Sequence, residues 1–175
     1  MKQAKADIFT IGHSTRTLKE FLDILKNFKI SQLVDIRTIP YSKYTPQFNM
    51  ERLSKALAKS KIKYLHLKGL GGLRHPAKDS INSGWRNSSF RGFADYMQTG
   101  EFDKNLKKLI LLAKKRTTAI MCAEAVPWRC HRSLVADALG IRKIKVFHIM
   151  SLTNSRKHKL TSFAKIKGKR IFYPS

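Results

Sequence analysis

The apolar positions of this chain switch repeatedly between a period of two and a period near 3.6. Asp7–Gly12 (DIFTIG) is a short β-rich run closed by glycine. Behind it, Thr17 and Glu20 have the spacing of a capping box, and Leu18, Phe21, Leu22, Ile24, Leu25 and Phe28 follow at helical spacing. Gln32–Ile36 predicts a second strand, and Asn49 is placed to cap a helix over 50–59 with Leu53, Ala56 and Leu57 inward. Tyr64–Leu67 predicts a third strand. The stretch 73–91, rich in Ser, Asn, Gly and Arg, reads as a flap that Trp85 and Phe90 keep ordered. A short helix over 93–97 and an amphipathic one over 102–115 come next. The fourth strand is Thr117–Met121, and a helix over 127–139 is stopped by Gly140. Lys145–Ile149 makes the fifth.

Strands alternating with helices predict an α/β fold with a mostly parallel, doubly wound, Rossmann-like sheet of about five strands. Its expected extent is a single domain over 1–151, followed by a basic C-terminal extension over 152–175. The length of 175 residues suits one well-buried domain. No apolar run approaches the ~20 residues that span a bilayer, so no membrane is expected as partner. The polar start of the chain lacks the apolar core of a secretory signal, and two cysteines make no disulfide framework, so a cytoplasmic location is expected.

Charge changes the picture. Thirty-six Lys and Arg against eleven Asp and Glu give a net charge of +25. Such an excess repels itself and attracts polyanions, and nucleic acid or a nucleotide is the partner expected first. After Asp137 no acidic residue occurs at all. The tail's Phe163, Ile166, Ile171, Phe172 and Tyr173 interrupt its lysines and arginines, which argues that part of it packs or stacks.

The densest chemistry lies in Met121–Arg132, with both cysteines, one of four glutamates, Trp128, His131 and two arginines. In a parallel sheet such a turn lies at the carboxyl ends of the strands, where ligands bind. The same edge would collect His13, Ser14 and Arg16 from the first strand, Asp35 and Arg37 from the second, Arg74 after the third, and His148 or Ser151 after the fifth. Glu124 and His13 are candidates for acid or base, and Asp35 for the same role or for an ion pair with Arg37. Arg129, Arg132 and the amides at 127–130 form a candidate anion site at a helix start, with Arg16 and Arg37 able to grip the same anion. Cys130, between arginines, is either a low-pKa nucleophile or a packed thiol, and Cys122 reads as packing. Tyr41 and Trp128 could stack a base, and His131 a supporting bond. Two acids beside a phosphate could hold Mg²⁺, without a third acid in either motif. A zinc site from Cys122, Cys130, His131 and His13 is not expected, because adjacent residues of a helix diverge. No cofactor follows from these motifs.

Ile11-Gly12-His13-Ser14, Val34-Asp35-Ile36-Arg37, Pro40-Tyr41-Ser42, Leu70-Gly71-Gly72, Gly84-Trp85-Arg86, Ser89-Phe90-Arg91-Gly92 and Cys122-Ala123-Glu124 with Pro127 and Cys130-His131-Arg132 together resemble the family called domain of unknown function 488. The resemblance runs from about Ile8 to Ile149. It implies a compact α/β domain with His13, Asp35, Arg37, Glu124, Cys130, His131 and Arg132 as its signature, and no particular reaction. Three functional expectations follow: an enzyme acting on nucleic acid or a nucleotide, a non-catalytic nucleic-acid-binding module, and a small-molecule enzyme with a cysteine nucleophile.

Overall fold

A computed structural model describes residues 7–175, so the polar start of the chain lies outside the described residues. Five predicted strands are present: β1 (Ile8–Gly12), β2 (Gln32–Asp35), β3 (Lys63–His66), β4 (Thr118–Cys122) and β5 (Val146–Ile149). They run parallel, and a sixth strand, β6 (Ser155–Lys157), joins antiparallel at the edge, in the order β3-β2-β4-β1-β5-β6. Strand β4 is inserted between β1 and β2. Its register sets Gly12 opposite Cys122, so the two motif-bearing strand ends are neighbours.

Helices α1 (Leu18–Asn27) and α2 (Met50–Lys59) cover one face, burying Phe21, Ile24, Leu25, Leu53 and Leu57 against Ile11, Leu33 and Met121. Helices α3 (Ser88–Tyr96), α4 (Gly100–Ala113) and α5 (Arg132–Gly140) cover the other, packing Phe93, Leu106, Leu109 and Leu134 on Val34 and Ile120. Each such side chain contributes about 1.5–3 kcal/mol of burial. Helices on both faces of a parallel sheet make the fold a doubly wound, Rossmann-like α/β domain. Thr17 and Glu20 close the capping box of α1. Asn49 stands at the start of α2 but its side chain accepts from the amide of Ser42 at 2.7 Å, holding the preceding loop instead.

Two expectations change. Helix α3 begins at Ser88, five residues early, because the Asn87 side chain accepts from the amides of Ser89 and Phe90. The predicted helix over 127–139 is broken: Pro127–Arg129 form a single 3-10 turn, Cys130 is extended (φ −137°, ψ 144°), and α5 starts at Arg132. The stretch 73–91 is anchored to the C-terminal segment. Trp85 packs on Phe163 and Tyr173 with ring centroids 5.0 and 5.5 Å away, and the buried Asn82 accepts from the Tyr173 amide at 2.9 Å.

The C-terminal segment is thus woven into the domain. After β6, strands β7 (Lys165–Lys167) and β8 (Arg170–Phe172) pair as a hairpin, and Tyr173 is fully buried with its hydroxyl donating to Asp137 at 2.8 Å. A chain of hydrogen bonds joins this segment to the sheet. Arg132 donates to Thr10 (3.3 Å), Thr10 pairs with His148 (2.7 Å), His148 with His158 (2.9 Å), and His158 with Asp137 (2.7 Å). No helix among the described residues is long and apolar enough to cross a membrane.

Candidate functional site

The carboxyl ends of β1 and β4 are locked to each other before any side chain acts. The amides of His13 and Ser14 donate to the carbonyls of Cys122 and Ala123 at 3.0 and 2.8 Å. A Cβ at Gly12 would overlap the carbonyl of Glu124, so only glycine permits this approach. Ser14 takes a left-handed conformation (φ 48°), the kind of backbone strain that needs firm surroundings.

Beneath the strand ends lies a sealed polar layer. Asp35 is fully buried, and its carboxylate accepts from Arg37 Nε (3.0 Å), Arg37 Nη2 (2.6 Å), the Arg37 amide (3.0 Å) and the Tyr64 hydroxyl (2.7 Å). Burial pulls the Arg37 guanidinium down, but its bonds to Asp35 and that residue's charge outweigh burial and hold it above its ordinary value. Burial beside Asp35 pushes the Tyr64 phenol up. His13 stacks on Phe48 at 4.4 Å, donates from Nδ1 to the Ser14 carbonyl (2.9 Å) and accepts at Nε2 from Arg37 (3.3 Å). Burial first, and the Arg37 charge second, pull its pKa down to about 4 against the bond to Ser14, so the ring is neutral at pH 7.

Above that layer opens a groove of about 320 Å³. Its lining includes Arg37, Thr38, Gly72 and Phe90 together with Glu124, Arg129, Cys122, Cys130 and His131. Glu124 and Arg129 are exposed and form its rim, while the two cysteines are buried and form its floor. His131 Nε2 donates to the Ile36 carbonyl at 3.3 Å, which leaves Nδ1 turned to the sulfurs of Cys130 (3.7 Å) and Cys122 (3.9 Å). Bonding to Cys130, then burial, pushes the Cys122 thiol up. The Cys130 thiol is drawn down by its bond from Cys122 and by His131 and Arg132, against its burial.

Several sequence expectations are corrected by this geometry. His13 and Asp35 are sealed in, with every polar atom engaged, so neither can exchange protons with a ligand in the groove. Asp35 and Glu124 do not share a cavity, which removes the basis for a two-acid Mg²⁺ site. Arg132 is not an anion grip: it is 1% exposed, and its guanidinium donates to the Glu124 carbonyl at 2.6 Å. Of the amides expected to bind an anion, that of Arg129 donates to the Val126 carbonyl and that of Cys130 to the Pro127 carbonyl. Arg16 is tied to the carbonyls of Gly12 and Met150 (2.5 and 3.2 Å). Arg74 lies over the Tyr96 ring at 3.5 Å. Of the expected cations, Arg129 alone is exposed without a partner among the described residues. Tyr41 and Trp128 are exposed, at 67% and 57%. His148 is buried in the chain to Asp137 and does not reach the groove.

Cys130 and His131 do face one point with Cys122, contrary to expectation. The donor atoms of all three lie within 4.8 Å of one another. The extended Cys130 ahead of a helical His131 removes the divergence a continuous helix would impose. Sequence reading also passed over Thr38 as a groove residue, since it lies between two of the motifs and carries no signal of its own.

A larger cavity of about 780 Å³ sits at the opposite, amino end of the sheet, beside Ile8, Ile110 and Ile144. Its carboxylate, Asp103, is held by Lys107 and Arg142 at 2.7 and 2.9 Å. That cavity offers lysine stems and aliphatic walls rather than free acid–base or nucleophilic groups.

Fold and groove define the protein as a Rossmann-like α/β protein with an acid, an arginine and a thiol–imidazole cluster at its strand ends. The family described as Domain of unknown function DUF488 matches residues 17–139, and the chain belongs to it. No curated protein and no solved structure matches the chain significantly.

Proposed function

We propose that the protein is an enzyme acting on nucleic acid or a nucleotide, with the phosphate-bearing substrate seated in the strand-end groove. The observation that carries this reading is that the exposed Glu124 and the exposed Arg129 line one groove of a chain with net charge +25. A carboxylate open to solvent can accept and return a proton, and an unpaired guanidinium beside it can hold a phosphate bidentately. Trp128, next to Arg129, and Tyr41 offer exposed rings for stacking a base. The buried Asp35–Arg37–His13 layer supports the groove by fixing the ends of β1 and β2, whose Ile36 and His13 amides bond to the end of β4 ahead of Glu124. Two cysteines that form no disulfide fit a reducing, cytoplasmic setting. The cysteine-nucleophile reading is weaker, because Cys130 is 3% exposed.

The test is a titration of labelled single- and double-stranded DNA and RNA with nuclease-free protein at several salt concentrations. Micromolar or tighter binding with a log–log salt slope of about −4 or steeper is expected. Turnover assays on the preferred form should then show Glu124→Gln inactive with its affinity largely kept. Absence of binding at moderate salt would overturn the nucleic-acid reading.

A further inference from the structure

We propose that Cys122, Cys130 and His131 bind a zinc ion whose fourth coordination position opens into the groove. This deepens the reading of the same groove, but it does not depend on what the substrate is.

The donor triangle has the right size. Tetrahedral zinc, with Zn–S of ~2.3 Å and Zn–N of ~2.0–2.1 Å, places neighbouring donors about 3.6–3.8 Å apart. The sulfur–nitrogen separations here are 3.7 and 3.9 Å, and all three donor atoms lie within 4.8 Å of one another, so closure on an ion needs shifts of at most about an ångström. Two thiolates and an imidazole are also a donor set that suits zinc and not the hard cations magnesium and calcium.

The imidazole is held as a ligand would be. Its Nε2 donates to the Ile36 carbonyl, which assigns the lone pair to Nδ1 and aims it at both sulfurs. Phe93 packs on the ring at 5.1 Å between centroids. From another side the backbone of Gly72 lies so close that a Cβ there would fall 2.5 Å from Nδ1. The ring therefore has little freedom to turn away.

Charge fits as well. Two thiolates neutralise Zn²⁺, and the guanidiniums of Arg37 and Arg132 stand near the pair. A neutral metal centre ringed by arginines favours an anionic or ionisable oxygen in the fourth position. All three ligands line the groove, so that position is reached from the side where Glu124 and Arg129 stand. Three protein ligands with one open position is the pattern of catalytic rather than structural zinc.

The full chain, prepared without a metal-binding tag and equilibrated with zinc, should hold about one zinc ion per chain by elemental analysis. Replacing zinc with cobalt should give a thiolate-to-cobalt charge-transfer band, and the two thiols should resist a disulfide reagent until a chelator is added. Cys122→Ser and His131→Ala should each cut the metal content to below about a tenth of an ion per chain. Gly72→Ala, whose added Cβ would press on Nδ1 of the imidazole, should weaken retention. Should the ligand variants fail to fold, the cobalt spectrum of the unaltered chain still decides. A wild-type chain without zinc and without that band overturns the proposal, as does a zinc content that neither ligand substitution changes. Nucleic-acid affinity measured separately on the zinc-free Cys122→Ser protein shows which of the two readings of the groove has failed.

Discussion

Two carboxylates of this protein, Asp35 and Asp137, are both fully buried, yet they are kept there by opposite means. Asp35 faces a full cation, Arg37, two residues along the chain, at 2.6 Å. Asp137 is held by donors from far away: His158, the amide and hydroxyl of Thr161, and Tyr173, at 2.7, 3.1, 2.7 and 2.8 Å. The first is a local ion pair that stiffens one strand end. The second is a long-range clasp that fastens the last eighteen residues to α5. Losing one partner of a buried ion pair strands a charge, whereas a clasp of separate hydrogen bonds gives way one bond at a time.

The sharpest way to break this comparison is to neutralise each acid. Asp35→Asn leaves Arg37 buried without its counter-charge and should cost about 3–5 kcal/mol, read from urea denaturation. Asp137→Asn should cost less, since an amide oxygen still accepts from several of the same donors. Equal costs would show that the clasp works as one unit.

Acid titration probes the same two regions through their histidines. Burial pulls both His13 and His148 down to about 4. The unfolded chain therefore takes up more protons than the folded one between about pH 6.5 and 4, and stability falls as pH drops through that window. The loss should be about 3 kcal/mol for each histidine, and His13→Gln should halve the fall in the urea midpoint. A midpoint flat between pH 7 and 4 would mean that neither ring is held neutral.

Smaller effects sharpen the picture. Tyr173→Phe removes one bond to the buried Asp137 carboxylate and should cost about 1.5–3 kcal/mol by thermal melting. Glu124→Gln, on the exposed rim, should change stability by no more than about 0.5 kcal/mol, while abolishing turnover if the groove is the active site. A large loss of stability there would place Glu124 in the framework instead.

The same contrast explains what could be read from residues alone. The five parallel strands, the capping box at Thr17 and Glu20, and the gathering of motifs at one sheet edge follow from periodicity and short-range spacing. The Asp35–Arg37 pair was legible for the same reason: its partners are two residues apart. The insertion of β4 between β1 and β2 was not legible, nor was the direction in which each motif side chain points. His13, Asp35 and Arg132 look like reacting groups in a list of residues, but they turn inward and leave Glu124, Arg129 and the sulfur–imidazole cluster facing the groove.

By itself, then, the sequence determined the fold class, the gathering of its motifs at one edge of the sheet and the family, because hydrophobic periodicity, turn chemistry and short motifs act over a few residues. The tertiary structure decided which polar side chains are sealed and which are open, that Cys122, Cys130 and His131 converge, and that the basic C-terminal segment is a clasp. These depend on contacts between positions up to 138 residues apart, such as Thr10 with His148. Burial, more than residue type, sets whether a carboxylate, imidazole or guanidinium can meet a ligand.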